Sequence, residues 1–303
     1  MNTATANFTP SVANSPQDIV TAPGPGAGSN SIVKIFNGKT GALMDSFAAY
    51  PASYTGGINV AVGDVNDDGI PDIIVAPMGG VEPVEIFNGK NVASGGAVPL
   101  MNSFYPYGSS YLSGVSVAAG DFYGNGYADV VTSPQGDMVD QVNVYNGDSL
   151  DSLSSVPVMI NQFIGFPATF TGGANVAVGD VDGDGTPDIV LVAGFGGAGA
   201  GLAANVEAYS GASVIATSST TGKPNTNIQI LSGFQVFASA ATNPNAPLNI
   251  SLQNVFGDGR YEAFIGQGAN GEANVVNVYR TISGQLLASI PVTVGTSAGV
   301  TLG

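Results

Sequence analysis

Four kinds of segment recur along this chain in a fixed order, and that repetition constrains the fold more than any other property of the sequence. The first kind is an alternating stretch: INVAVGD (58–64), VSVAAGD (115–121), ANVAVGD (174–180), LNISLQN (248–254) and a last partial copy, AGVTLG (298–303). The second is an apolar run opened by an acid: DIVTAP (18–23), DIIVAP (72–77), DVVTSP (129–134), DIVLVA (188–193) and EAFIGQ (262–267). The third ends in an aromatic residue, as in IVKIFNG (32–38), PVEIFNG (83–89), QVNVYNG (141–147), NVEAYSG (205–211) and VVNVYRT (275–281). The fourth comprises LMDSFAAYP (43–51), LMNSFYPYG (100–108), MINQFIGFP (159–167), ILSGFQVFA (230–238) and LLASIPVTV (286–294).

Each run is short, rich in β-branched or aromatic residues, and bounded by Gly, Pro, Asn or Asp, which is how strands read in sequence. Four strands per unit of about 60 residues, repeated, predict an all-β β-propeller of five blades, each of four antiparallel strands. A stacked solenoid uses shorter repeats with fewer strands. The chain starts on a second-kind segment and ends on a spare first-kind segment. The reading is therefore one domain, 1–303, closed by pairing of the N- and C-terminal strands, with an arbitrary cut from a longer array as the alternative: 298–303 would join DIVTAP in a first unit made of 298–303 plus 11–55. The other units are 56–113, 114–171, 172–247 and 248–297. Closure removes exposed strand edges, and the first unit, with Asn14-Ser15-Pro16-Gln17 before Asp18, carries no acidic loop.

Charge narrows the partners. Six basic residues (Lys34, Lys39, Lys90, Lys223, Arg260, Arg280) face 22 acidic ones, for a net charge of −16. No basic patch able to neutralise phosphates can be assembled, so neither nucleic acid nor an anionic membrane is an expected partner, and a divalent cation suits the balance. Cysteine, histidine and tryptophan are absent, which removes disulfides, thiolate metal sites and the commonest general base. No apolar stretch reaches about 18 residues, so no membrane insertion is expected. The polar start MNTATANFTP lacks the apolar centre of a secretion signal.

The acid is concentrated between first- and second-kind segments. In GDVDGDGTPD, Asp180, Asp182, Asp184 and Asp188 stand at relative positions 1, 3, 5 and 9, with Gly185 at 6 to supply a positive φ. Side chains at 1, 3 and 5 then converge, and the carbonyl of Thr186 at 7 can join them as hard oxygen ligands, favouring Ca²⁺ over Mg²⁺. Without a cation, carboxylates roughly 5 Å apart repel by about 3 kcal/mol per pair at an effective dielectric of about 20, so the metal-free loop is expected to be strained or mobile. A helical calcium hand is excluded, because position 12 is Val75 or Leu191, inside an apolar strand, where a Glu is needed.

The stretches VAVGDVNDDGIPDIIVAP and VAVGDVDGDGTPDIVLVA resemble FG-GAP repeats, the calcium-binding blades of integrin α-subunit propellers and their bacterial relatives. The resemblance implies Ca²⁺ bound by side chains at 1, 3, 5 and 9 and the carbonyl at 7. Carried onto this chain, one site is Asp64, Asn66, Asp68, Ile70 (carbonyl) and Asp72; the other is Asp180, Asp182, Asp184, Thr186 (carbonyl) and Asp188. A third copy, Asp121, Asn125, Tyr127 (carbonyl) and Asp129, has Tyr123 at position 3. A fourth, Asn254, Phe256, Asp258, Arg260 and Glu262, departs further. Either could instead be a tight Asx/Gly turn held by side-chain-to-backbone hydrogen bonds.

The same resemblance implies a non-catalytic binding or adhesion module, extracellular or on a cell surface. It would recognise a protein or carbohydrate ligand through the loops opposite the calcium turns. Two features fall there. One is the insertion GFGGAGAGLAA (194–204), a mobile tip or a ligand-gripping loop. The other is a set of aromatics (Tyr50, Tyr54, Tyr105, Tyr107, Tyr111, Phe166, Phe170) that either anchor a ligand or pack between blades. A structural or assembly role within a larger surface protein is the alternative. An enzyme would need a carboxylate pair drawn from Glu82, Glu85, Asp137, Asp140, Glu207 and Glu272, none in a distinctive motif.

Overall fold

The computed structural model describes residues 3–8, 18–26, 30–94, 98–194, 205–216, 228–237, 248–267 and 275–291. Among these residues, strands join in chain order into five four-stranded antiparallel sheets, so the fold is an all-β five-blade propeller. The first sheet holds β1 (Thr3–Phe8), β2 (Asp18–Pro23), β3 (Ile32–Phe36) and β4 (Leu43–Ala48). The second holds β5 (Ile58–Gly63), β6 (Asp72–Pro77), β7 (Val84–Phe87) and β8 (Leu100–Phe104). The third is β9 (Val115–Gly120), β10 (Asp129–Pro134), β11 (Gln141–Tyr145) and β12 (Met159–Ile164). The fourth is β13 (Ala174–Gly179), β14 (Asp188–Ala193), β15 (Asn205–Tyr209) and β16 (Ile230–Gln235). The fifth is β17 (Leu248–Gln253), β18 (Glu262–Gln267), β19 (Val275–Arg280) and β20 (Gln285–Pro291).

One expectation is corrected. The strand beside β2 is β1, paired from Thr3↔Pro23 to Phe8↔Asp18, and not 298–303, which lies outside the described residues. The other edge of β2 is taken by β3, so the first sheet is complete without the C-terminal segment. TATANF alternates small polar and apolar residues, a pattern compatible with a strand but too weakly apolar to stand out. The sequence reading also missed short helical turns after the third strand: Gly89–Ser94, Gly147–Leu150 and α1 (Gly211–Ala216).

Residues 1–130 with 145–159 form most of one compact unit, and 131–144 with 160–302 form the other. In the first, β1, β5 and β9 run side by side; in the second, β13 lies beside β17. Second strands are the most enclosed: every residue of β6, β10 and β14 is buried. Alternate side chains of such a strand serve two cores. Ile73 and Val75 pack with Val20, Ile35 and Ile58, while Ile74 and Ala76 pack with Val117, Val130 and Leu150. A continuous apolar run is what a strand covered on both faces requires.

Aromatics repeat the same lock from sheet to sheet. Phe47 packs on Phe87 with ring centroids 4.7 Å apart, Phe104 on Tyr145 at 4.8 Å, Phe163 on Tyr209 at 5.0 Å and Phe234 on Tyr279 at 5.5 Å. Each pair joins a fourth strand to the third strand of the next sheet, which explains the aromatic that closes the third-kind segment in the second to fifth sheets. Polar side chains add to these contacts. The Asn59 amide donates to the Val115 carbonyl at 2.7 Å, and Asn175, at the same place two units on, donates to the Leu248 carbonyl at 2.5 Å.

Candidate metal turns

The turn between first and second strands is built by its own backbone amides. In the second sheet, Asp64 accepts the N–H groups of Asp68 (3.1 Å) and Gly69 (2.8 Å), Asn66 Oδ1 accepts Asp68 N–H (3.0 Å), and Asp68 accepts Ile70 N–H (3.0 Å). The fourth sheet repeats this. Asp180 accepts Gly183 and Gly185 N–H groups (2.7 and 2.9 Å), Asp182 accepts Asp184 N–H (3.0 Å), and Asp184 accepts Thr186 N–H (2.7 Å). Position 6 is left-handed in all four described turns: Gly69 (φ 82°), Gly126 (φ 92°), Gly185 (φ 91°) and Gly259 (φ 88°). Position 4 is left-handed as well, in Asp67 (φ 55°), Gly124 (φ 64°), Gly183 (φ 85°) and Gly257 (φ 69°), a requirement the spacing of acids did not reveal.

The acid at position 9 has a different environment. Asp72 and Asp188 are 0% exposed, and Asp129 is 1% exposed. One carboxylate oxygen accepts the N–H at position 2 (Val65 3.0 Å, Phe122 3.2 Å, Val181 2.9 Å). The other accepts the N–H of the glycine that follows the third strand (Gly89 2.9 Å, Gly147 3.0 Å, Gly211 2.9 Å). Asp18 makes the corresponding bond to Gly38 at 3.2 Å. These amides favour the charged form, but burial outweighs them. Burial pushes Asp72 up to about 7 and Asp129 and Asp188 up to about 6, and it also raises Asp64.

Carboxylate oxygens of Asp180, Asp182 and Asp188 all lie within 4.8 Å of one another. Three hard oxygens gathered at a left-handed turn suit an oxygen-loving divalent cation, and a cation there would return the desolvated acid at position 9 to its charged form. Asp64, Asn66 and Asp72 stand at the same three positions in the second sheet. The strain expected of a metal-free loop is partly offset by the convergent N–H dipoles that each position-1 acid accepts.

The two remaining turns keep the backbone pattern and lose ligands. Asp121 accepts Asn125 and Gly126 N–H groups (3.1 and 2.8 Å), and Asn125 accepts Tyr127 N–H (3.1 Å), while Tyr123 at position 3 is exposed. Asn254 accepts Gly257 N–H at 2.7 Å, Asp258 accepts Arg260 N–H at 3.1 Å, and Phe256 at position 3 is exposed.

At the opposite ends of these strands, the aromatics mostly serve packing. Tyr50 and Tyr54 meet edge to face at 4.9 Å, as do Phe166 and Phe170 at 5.3 Å, and all four are buried. Tyr107 and Tyr111 form the equivalent pair at 5.3 Å, half-buried, while Tyr105 is exposed. Gly80 N–H bonds the Leu112 carbonyl at 2.9 Å, which joins two loops carrying the exposed Val81, Tyr105 and Leu112. Residues 195–204 of the insertion, and Glu272, lie outside the described residues.

The candidate carboxylates are enclosed or engaged. Asp140 is 0% exposed and accepts the Ser133 hydroxyl at 2.7 Å, and burial pushes it up to about 7. Glu207 accepts the Tyr209 hydroxyl. Glu85 is raised to about 7, by burial first and then by the charge of Glu82.

Five four-stranded antiparallel sheets, four of them entered through a described D-x-[DN]-x-D-G or degenerate turn, define a β-propeller with acidic first-to-second-strand turns. Residues 56–101, which span β5 to the start of β8, match the family model of the FG-GAP repeat. The chain is a five-blade β-propeller whose second blade is similar to the FG-GAP repeat.

Proposed function

We propose that this protein is a calcium-stabilised, non-catalytic binding module of the extracellular space or cell surface. The observation that carries the calcium part is the convergence of Asp180, Asp182 and Asp188 within 4.8 Å, in a turn whose acids are spaced as in the turn 64–72 of the FG-GAP-matched segment. Ca²⁺ would be held by Asp180, Asp182, Asp184, the Thr186 carbonyl and Asp188. In the second sheet it would be held by Asp64, Asn66, Asp68, the Ile70 carbonyl and Asp72. Asp121, Asn125, the Tyr127 carbonyl and Asp129 form a weaker third candidate. The ion is structural: it pins the entry to a buried second strand. No helix among the described residues is long and apolar enough to cross a membrane.

Ligand binding is assigned to the loops at the far end of the strands. Val81 (59% exposed), Tyr105 (46%) and Leu112 (53%) present apolar surface there, on loops tied together by the Gly80–Leu112 hydrogen bond. The occupant is a protein or carbohydrate surface.

Calorimetric titration with Ca²⁺ and thermal melts with and without chelator test the first part. Two sites are expected, with Asp64→Ala and Asp180→Ala each removing one. At calcium about 100-fold above Kd, the gain is about 2.7 kcal/mol per site. Absence of heat and an unchanged melting temperature would falsify the calcium reading. Glycan-array and pull-down binding by the native protein, set against a Val81→Ser/Tyr105→Ser/Leu112→Ser variant, tests the second part. Equal binding by both proteins sinks the assigned surface.

A further inference from the structure

We propose that the turn of the fifth sheet, residues 254–262, is held shut by the guanidinium of Arg280 in place of a metal ion. Three changes from the other turns occur together there. Position 3 is Phe256, which offers no ligand. Position 9 is Glu262, one methylene longer than the Asp72, Asp129 or Asp188 of the other sheets. The residue after the aromatic of the third-kind segment is Arg280, where the other sheets have Asn37, Asn88, Asn146 and Ser210.

These changes answer one another in space. Glu262 and Arg280 are directly opposed across β18 and β19. Arg280 Nη1 donates to Asp258 Oδ2 at 3.1 Å and lies 3.2 Å from Glu262 Oε1 as an ion pair. Glu262 is 0% exposed, and its Oε1 has no hydrogen bond, so the guanidinium is the charge that compensates it. The Phe256 ring lies under that guanidinium, 5.0 Å from centroid to Cζ, and a face-on aromatic favours a cation. Phe256 therefore acts as a platform for the built-in cation at the position where Asp182 is a candidate ligand. The Arg260 N–H and the Arg280 guanidinium both hold the Asp258 carboxyl below its usual range.

A covalently attached cation cannot be removed by chelation. The fifth turn is therefore permanently closed, whatever the calcium concentration around the other turns. The neighbouring turn gains from this, because Tyr261 N–H bonds the Asp180 carbonyl at 2.9 Å.

Hydrogen exchange at the Val255, Gly257 and Arg260 amides tests the assignment in the full chain. In the wild type these amides should exchange at the same rate with calcium and with chelator. In Arg280→Gln they should exchange about tenfold faster in both conditions, as loss of a charge-assisted bond implies. If the Gln variant does not fold, Arg280→Lys retains the charge without the planar fork, and a smaller acceleration is expected. Wild-type exchange in the substituted protein overturns the proposal, and so does acceleration of the wild-type fifth turn by chelator alone. Chelator effects at residues 64–72 and 180–188, read in the same experiment, bear on the calcium reading alone.

Discussion

The carbonyl oxygen of Asp64 accepts a 2.6 Å hydrogen bond from the backbone N–H of Ala128. Asp64 is position 1 of the turn in the second sheet, and Ala128 is position 8 of the turn in the third. The bond from Tyr261 to Asp180 repeats the relation between the fourth and fifth sheets. Each turn therefore holds the backbone of its neighbour, and an ion bound at a strong candidate site would support the weaker turn beside it.

That linkage is measurable. Adding Ca²⁺ should slow amide exchange at Ala128 together with Asp68 and Gly69, and chelation should reverse all three. Asn66→Ala, which weakens the second-sheet turn only, should abolish the effect at Ala128. If Ala128 is indifferent while Asp68 and Gly69 respond, the two turns are independent.

Gly126 meets the same neighbour through space. Its φ is 92°, and a Cβ placed on it would lie 2.2 Å from Asp67 Oδ1. Gly126→Ala should cost on the order of 2 kcal/mol from left-handed strain plus the clash. Adding Asp67→Gly should recover the clash, and the Asp67→Gly single variant measures what glycine gains at its own left-handed position, leaving about 1 kcal/mol of strain at Gly126→Ala. Denaturant melts of the two single variants and the double variant give the coupling, and strictly additive losses would contradict the contact.

Asp45 occupies a position where its counterparts donate. Asn102 accepts Ser103 N–H and donates its amide to the Ser152 carbonyl at 2.9 Å. Asn161 likewise accepts Gln162 N–H and donates to the Val214 carbonyl at 2.8 Å. Asp45 accepts Ser46 N–H in the same way, but its Oδ2, which takes the place of the amide nitrogen, is buried without a partner. Asp45→Asn should stabilise the protein by about 1 kcal/mol. A lower melting temperature for this variant would count against the equivalence.

Asp140 gives the protein a pH-dependent term. Burial raises its pKa to about 7, although the Ser133 hydroxyl and the nearby Phe166 N–H favour the charge, and the charge of Glu207 adds to the rise. A folded value above the unfolded one means that this contribution is fully present below about pH 4 and is lost as pH rises to about 7. Asp140→Asn, which keeps the Ser133 partner without a charge, should match the wild type at pH 4 and melt several degrees higher at pH 8. A melting-temperature difference that does not change between those pH values would show that Asp140 titrates normally.

Much of the fold was legible from period and punctuation. The second-strand segments 18–23, 72–77, 129–134, 188–193 and 262–267 coincide with β2, β6, β10, β14 and β18. Each combines an acid, a buried apolar run and flanking turn residues, all local signals. Strand β1 was not legible, because TATANF has little apolar contrast and its place depends on which chain segment reaches the edge of β2. Position 6 of the turns announced itself as Gly in every copy. Position 4 did not, because Asp67 adopts the same left-handed conformation without being glycine.

The residues alone determined strands β2 to β20, the acidic turns and the excess of negative charge, since these follow from side-chain chemistry over a few neighbouring positions. Only the tertiary structure decided that Arg280 lies across from Glu262, that Ala128 hangs on Asp64 and that Asp140 is sealed from water. Those relations join residues 18, 64 and more positions apart or depend on what the rest of the sheets bury, and local sequence carries no energy term for either.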